Sequence, residues 1–293
     1  MSRQTRSITQ PRENCANFDV VIVGAGFAGM YMLHKCRQLG LSTRVFEVGK
    51  GVGGTWYWNR YPGARCDVES VQYSYQFDSE LEQEWTWSEK YSTQPEILRY
   101  ANHVADRFDL RDDIQFETRV ISAQYSEADK VWVLETDRKE KASSRYCVFA
   151  TGCLSSSNVP QFEGFETFKG LSYHTGRWPH EGVDFSGLRV GVIGTGSSAI
   201  QSIPEIAKEA SQLTVFQRTA NYTIPARNSK LTEDYISSIK ADYPGLRERA
   251  RNKPAGYDIP LNPQSVLEVG REDANNEFQR RWKLGGTQFL GAY

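Results

Sequence analysis

An α/β fold with a parallel sheet is what this 293-residue sequence predicts, and three observations carry it. A glycine-rich loop at 24–29 joins a β-branched run to a helical pattern. A second loop with the same grammar begins at Gly194. Beyond residue 230 the pattern turns helical and no further strand signal follows. With 39% hydrophobic and 24% charged residues, the composition lies inside the globular range and supports a sizeable core.

The first run, 18–23, is continuous and β-branched, the pattern of a parallel strand buried on both faces. It enters Gly24-Ala25-Gly26-Phe27-Ala28-Gly29, after which 30–39 reads as a helix stopped by Gly40 and 43–47 as a second strand. This βαβ unit carries the Rossmann-like dinucleotide fingerprint. Gly24 permits the tight turn, Gly26 lets a pyrophosphate reach the backbone, and Gly29 lets the helix pack closely on the strand. Glu47, at the end of the second strand, is placed to accept hydrogen bonds from a ribose hydroxyl.

Segments 120–125 and 130–135 alternate in polarity around a turn at Ala128-Asp129, which predicts a small antiparallel piece. A strand at 145–150 runs into Ala150-Thr151-Gly152. These small residues let the chain pass close to a dinucleotide, an ordinary strand exit being the alternative.

The second unit has a strand at 189–193, the loop Gly194-Thr195-Gly196-Ser197-Ser198-Ala199, a helix at 200–210 and a strand at 213–217. Here Arg218 follows the second strand, where the first copy has Glu47. A guanidinium pairs with a ribose 2′-phosphate that a carboxylate repels, so this site reads as one for NADPH; a solvated surface arginine is the alternative. Two dinucleotide sites, the second suited to NADPH, point to electrons passing to a flavin and so to FAD in the first.

Two helical segments follow, 231–251 and 265–283, separated by a stretch holding Pro254, Gly256, Pro260 and Pro263. The expected organisation is a disordered tail at 1–17 and the N-terminal part of an FAD-binding domain at 18–165. A linker with the first part of an inserted NADPH-binding domain follows at 166–230, then a helical insertion of that domain at 231–293. A mononucleotide-binding half needs βαβαβ and the second copy supplies βαβ, so the predicted fold is truncated.

Charge and cysteine usage narrow the partners. Lys and Arg total 35 against 36 Asp and Glu, which argues against nucleic acid and anionic membranes. The five cysteines, Cys15, Cys36, Cys66, Cys147 and Cys153, form no C-x-x-C pair, which disfavours disulfide frameworks, dithiol centres and zinc. The longest apolar stretch, 20–33, is interrupted by glycines and too short to span a bilayer. The polar N-terminus lacks the apolar centre of a secretory signal. It reads as a tail, with a transit peptide the alternative, and the expected setting is reducing and cytoplasmic.

Between the two units, Phe168, Gly170, His174 and Trp178 with Pro179 fit F-x-G-x-x-x-H-x-x-x-W, and here the sequence resembles type I Baeyer–Villiger monooxygenases. In that family the segment directly precedes the second glycine loop, as it does here. The stretch 53–70, beginning Gly-Gly-Thr-Trp-Tyr-Trp, resembles the phenylacetone and steroid monooxygenase branch, and Phe216-Gln217-Arg218-Thr219 is similar too. The resemblance runs from about Phe18 to the end. The family's chains are longer, so this chain is expected to be an N-terminal portion with a C-terminal half missing.

The resemblance implies FAD on Gly24, Gly26, Ala28, Gly29 and Glu47, with further contacts at Thr55, Trp56, Trp58, Asp67, Tyr73, Val120 and Cys153. Trp56 and Trp58 as plain core aromatics is the alternative. It puts NADPH against Arg65, Cys66 and Asp67, the loop Gly194, Thr195, Gly196, Ser197, Ser198 and Ala199 with Gln201, and Arg218 with Thr219. The implied activity uses NADPH, FAD and O₂ to insert oxygen beside a ketone carbonyl, giving an ester or lactone. Asp67 is the implied catalytic residue, orienting an arginine that the resemblance places beyond Tyr293. The alternatives are an N- or S-oxygenating flavin monooxygenase, which Trp178-Pro179 disfavours, and an inactive truncated nucleotide-binding remnant.

Overall fold

The computed structural model describes residues 15–293. Residues 1–14 of the expected tail lie outside it. In chain order the elements are β1 (Cys15–Val23), α1 (Phe27–Gln38), β2 (Thr43–Phe46), α2 (Thr55–Trp58), α3 (Ser79–Glu84) and α4 (Gln94–Arg107). Next come β3 (Ile114–Gln115), β4 (Val120–Ser126), β5 (Val131–Thr136), β6 (Lys141–Phe149), β7 (Arg189–Ile193), α5 (Ser197–Ile206) and β8 (Gln212–Phe216). Four helices end the chain: α6 (Glu233–Ala241), α7 (Tyr243–Arg251), α8 (Arg271–Leu284) and α9 (Gly286–Leu290). Among the described residues two compact units result, one running up to Arg60 and taking in Leu98–Trp178, the other of Tyr61–Ile97 with Pro179–Tyr293.

The first unit is built on a six-stranded sheet in the order β3-β2-β1-β6-β5-β4, parallel from β3 to β6 and antiparallel beyond. β1 starts earlier than its apolar run, because Cys15, Ala16 and Asn17 pair with Lys141, Ala142 and Ser143 of β6. Backbone pairing, which side-chain patterning does not register, extends the strand into what the sequence reads as tail. One face of β1 buries Val20 and Ile22 against Met30, Leu33 and Cys36 of α1 and Ala101 and Ala105 of α4. The other face buries Val21 with Phe46, Leu134 and Ala142. Burial on both faces is the reason the run is continuous rather than alternating.

In the second unit β7 and β8 pair in parallel, Arg189 opposite Gln212 through Ile193 opposite Phe216. Ile193 and Phe216 remain 68% and 57% exposed, so this βαβ unit leaves apolar surface uncovered. The segment 231–251, expected to be mostly helical, holds two helices, α6 and α7, that meet at Asp242. The break falls there because Pro244, in the first turn of α7, has no N–H to continue the ladder and its ring collides with the preceding turn. The mostly helical segment expected at 265–283 opens on a 3₁₀ turn whose capping box joins Ser265 and Glu268, and α8 follows from Arg271.

Arg247 of α7 ties this region together. Its side chain is 5% exposed and its guanidinium donates to Glu82 at 2.8 Å and to Ser74 Oγ at 2.9 Å. Removing one partner of a buried pair strands the other charge, at a cost of about 3–5 kcal/mol. Arg247→Ala is therefore expected to lower the urea midpoint of the full chain sharply, while Arg247→Met with Glu82→Gln restores much of it. Equal midpoints for wild type and Arg247→Ala would show the pair to be dispensable.

Candidate functional site

The two glycine loops are near-identical in backbone. Gly24 and Gly194 have φ of +104° and +102°, a region L-residues rarely enter. Gly26 and Gly196 sit at the helix N-caps with φ of −75° each and ψ of −171° and −179°. The Gly24 amide donates to Phe46 O and the Gly194 amide to Phe216 O, both at 2.8 Å. Neither α1 nor α5 has a side-chain cap or an acidic residue in its first turn. Neither helix therefore carries a carboxylate of its own in its first turn, and both amino ends present positive partial charge, which suits a phosphate group.

In the first loop the third glycine is forced by packing: a Cβ on Gly29 would overlap the Gly24 carbonyl oxygen. Ala150 lies beneath, its amide donating to Val23 O at 2.9 Å, and a Cβ on Gly24 would sit 2.7 Å from Ala150 O. The chain through Ala150-Thr151-Gly152 therefore passes directly against the loop. The amide of Gly53 donates to Ala25 O at 3.0 Å, which brings the start of α2, with Thr55, Trp56 and Trp58, beside it. Trp56 is buried and Trp58 half-buried.

Glu47 is 4% exposed and shapes the loop itself. Its Oε2 accepts from the Ala25 amide and its Oε1 from the Gly49 amide, each at 2.7 Å. Val120 packs on the cluster that holds Phe46, while Cys153 is exposed beyond Gly152.

The matched hydrogen bonds of the loops set a strict equivalence. Because Phe46 and Phe216 accept the same bond, the counterpart of Glu47 is Gln217, and Arg218 stands one residue later. Counting from the third loop position agrees, since Glu47 stands 18 residues beyond Gly29 and Gln217 stands 18 beyond Ala199; the expected match of Arg218 with Glu47 is therefore corrected by one residue. Gln217 Nε2 donates to Thr195 Oγ1 at 2.9 Å, taking over with a neutral amide the strand-to-loop tie that Glu47 makes with a charge. Gln217, Arg218 and Thr219 are exposed.

The second unit also contains Tyr61–Ile97, and with it Arg65, Cys66, Asp67 and Tyr73. The structure brings Arg65 and Asp67 onto α5, where Gln201 meets both of them and Tyr61. The Arg65 guanidinium pairs with Glu89 at 3.6 Å, and Glu89 also accepts from Asn228 Nδ2 at 2.6 Å. Nothing in the residue pattern around Glu89 marks it, because its role depends on Asn228, far away in sequence.

Burial pushes the Cys66 thiol up to about 11, with the Asp67 charge adding to the rise. Cys66 is thus held as a neutral thiol, whose Sγ accepts from the Val68 amide at 3.4 Å. Maleimide labelling of the native chain at mildly alkaline pH should modify exposed Cys153 and leave Cys66 intact until denaturant is added. Early modification of Cys66 would contradict its burial.

Of the motif at 168–178, Trp178 is buried and Phe168 is 63% exposed. His174 caps the short turn Thr175–Arg177, its Nδ1 accepting from the Gly176 amide at 3.1 Å. The Tyr173 and Trp178 rings lie 5.7 Å apart. All five cysteines are free, and the described residues contain no His/Cys/Asp/Glu group able to hold a metal and no helix long and apolar enough to cross a membrane.

Comparison with known proteins follows the same lines. Residues 21–243 match the family model described as pyridine nucleotide-disulphide oxidoreductase. The chain is 43% identical over 272 residues to a Baeyer-Villiger monooxygenase of Pseudooceanicola batsensis, which covers 92% of this chain and 50% of that one. It is 42% identical over 276 residues to phenazine N-monooxygenase PhzNO1 of Lysobacter antibioticus, covering 94% and 51%. Among solved structures, oxidized steroid monooxygenase bound to NADP superposes with a TM-score of 0.91 at 56% identity, over 95% of this chain and 53% of that one. The chain spans about half the length of these relatives.

Proposed function

Since the chain belongs to the pyridine nucleotide-disulphide oxidoreductase family and is homologous to Baeyer–Villiger monooxygenases over about half of their length, we propose that it is the nucleotide-binding part of such a monooxygenase. FAD occupies the first loop and NADPH the second. When bound, NADPH supplies hydride and FAD with O₂ supplies the oxygen inserted beside a ketone carbonyl, giving an ester or lactone.

One observation carries the reading: two loops of the same backbone shape end in opposite chemistry, a buried Glu47 in one and the Gln217-Arg218 pair in the other. The first keeps a carboxylate where a plain ribose lies. The second offers a guanidinium and no carboxylate, the combination a 2′-phosphate needs. Gly24, Gly26, Ala28 and Gly29 cradle the flavin's pyrophosphate, with Thr55, Trp56, Trp58, Val120 and Cys153 of the same unit completing its surroundings. Arg65, Cys66 and the loop from Gly194 to Ala199 hold the nicotinamide nucleotide, with Arg218 and Thr219 at its ribose phosphate. Asp67 orients a cationic group supplied by the rest of the longer protein. The disulphide chemistry in the family's name has no support in the residues, because no two cysteines stand as C-x-x-C. Free thiols suit a cytoplasmic setting.

The similarity to phenazine N-monooxygenase favours a second reading, oxygenation of a ring nitrogen on the same scaffold. To separate the two, the complete polypeptide is supplied with NADPH and O₂ and offered a cyclic ketone or a phenazine. Lactone formation with matching NADPH consumption supports the first reading and N-oxide formation the second. Absence of bound flavin and of NADPH consumption would reject both.

A further inference from the structure

We propose that Gln201 is a positioning residue, a latch that holds the 61–67 segment and the Asp67 carboxylate on helix α5. The proposal rests on the reading of the second loop as a nicotinamide-nucleotide site, and it gives Gln201 a role other than direct contact with that nucleotide.

The Gln201 amide is saturated by protein groups. Its Oε1 accepts from the Tyr61 hydroxyl at 2.9 Å and from the Arg65 amide at 3.3 Å. Its Nε2 donates to the Arg65 carbonyl and to Asp67 Oδ1, each at 3.1 Å. A primary amide has two N–H donors and two acceptor lone pairs, and all four are in use. The orientation is forced, since a backbone N–H only donates and a carboxylate only accepts, so a flipped amide would set donor against donor and acceptor against acceptor.

The backbone above is shaped to come this close. Gly63 has φ of +75°, and a Cβ there would overlap the Gln201 carbonyl oxygen and stand 3.0 Å from Glu205 Cγ. On its far side the segment is pinned by the Cys66 amide on Ser92 O at 3.2 Å and the Gln94 amide on Ala64 O at 2.7 Å. The Gln201 side chain ties it to α5 through three residues at once, Tyr61, Arg65 and Asp67. Gln201 stands one helical turn after Ser197, the first residue of α5, and Tyr61 also reaches Ser198 of that first turn. A nucleotide drawn against the amino end of α5 is therefore linked to Asp67 through a fully satisfied amide, a connection that a carboxylate in its place would break. Such a carboxylate has no donor for Arg65 O or Asp67 and adds a like charge beside Asp67.

The test is hydrogen–deuterium exchange on the full chain, with and without saturating NADP⁺, in wild type, Gln201→Ala, Gln201→Glu and the double variant Gln201→Glu with Asp67→Asn. Without nucleotide, the Arg65 amide is expected to exchange at least about tenfold faster in both single variants, since its partner is lost or moved; a tenfold change corresponds to about 1.4 kcal/mol. The double variant, which returns an amide–carboxylate pair in reversed order, should recover part of the protection. With NADP⁺, wild type should gain protection at both 197–201 and 65–67, and Gln201→Ala at 197–201 alone. Unchanged Arg65 exchange in Gln201→Ala, or NADP⁺ protection of 65–67 that survives it, would overturn the latch. If NADP⁺ protects nothing in wild type, the nucleotide assignment fails, and the latch is decided by exchange in the free chain.

Discussion

Gly29→Ala should cost the first unit its flavin. The added methyl would overlap the Gly24 carbonyl oxygen, which is backbone and has no rotamer to escape into. Relief requires α1 to move away from β1, and that disturbs the Met30, Leu33 and Cys36 contacts with Val20 and Ile22 as well as the loop itself. Overpacking of this kind costs about 1–3 kcal/mol and sometimes more, and the upper end corresponds to roughly a hundredfold loss of affinity. The readout is FAD dissociation followed by flavin fluorescence, with Gly196→Ala as the control. Gly196 has ordinary φ and nothing within 4 Å of a built Cβ, so that variant should bind FAD like wild type. Equal FAD affinity in Gly29→Ala and wild type would remove the first loop from the flavin site.

The second large effect is expected at the end of β8. Arg218→Ala should weaken NADP⁺ binding by roughly 10- to 100-fold, the range of about 1.5–3 kcal/mol for a charge-assisted hydrogen bond, and leave NAD⁺ binding nearly unchanged. Gln217→Glu restores at the strand end the carboxylate that the first unit carries as Glu47, in hydrogen-bond reach of Thr195. It should therefore lower NADP⁺ affinity by repulsion of the 2′-phosphate, and with Arg218→Ala it should reverse the preference toward NAD⁺. Calorimetric titration with both nucleotides measures this directly. Parallel losses for NADP⁺ and NAD⁺ would mean that the strand end does not read the phosphate.

Much of this was legible in the residues alone. Both glycine loops, the strands that feed them and the helices that leave them follow from local rules: β-branched runs, glycine where φ turns positive, and polar ends. Those signals act over a few residues and survive without an alignment. Helix α4 was also available, since Ile97, Tyr100, Ala101, Val104 and Ala105 repeat at helical spacing and are all buried. The match of Gln217 with Glu47 was legible too, since each stands 18 residues beyond the third position of its loop, whereas the tie of Gln217 to Thr195 depends on where the two side chains point in the fold.

What only the tertiary structure decided is which distant segments share a surface. The sequence by itself determined the two βαβ units, their loop geometry, and the chemical contrast between Glu47 and Arg218. It carries no local mark that Tyr61–Ile97 joins the second unit, that Gln201 reaches back to Tyr61, Arg65 and Asp67, or that Arg247 neutralises Glu82. A loop's backbone shape is set by the residues within it, whereas a saturated amide or a buried ion pair exists only once chain segments more than a hundred residues apart have been brought within hydrogen-bonding distance.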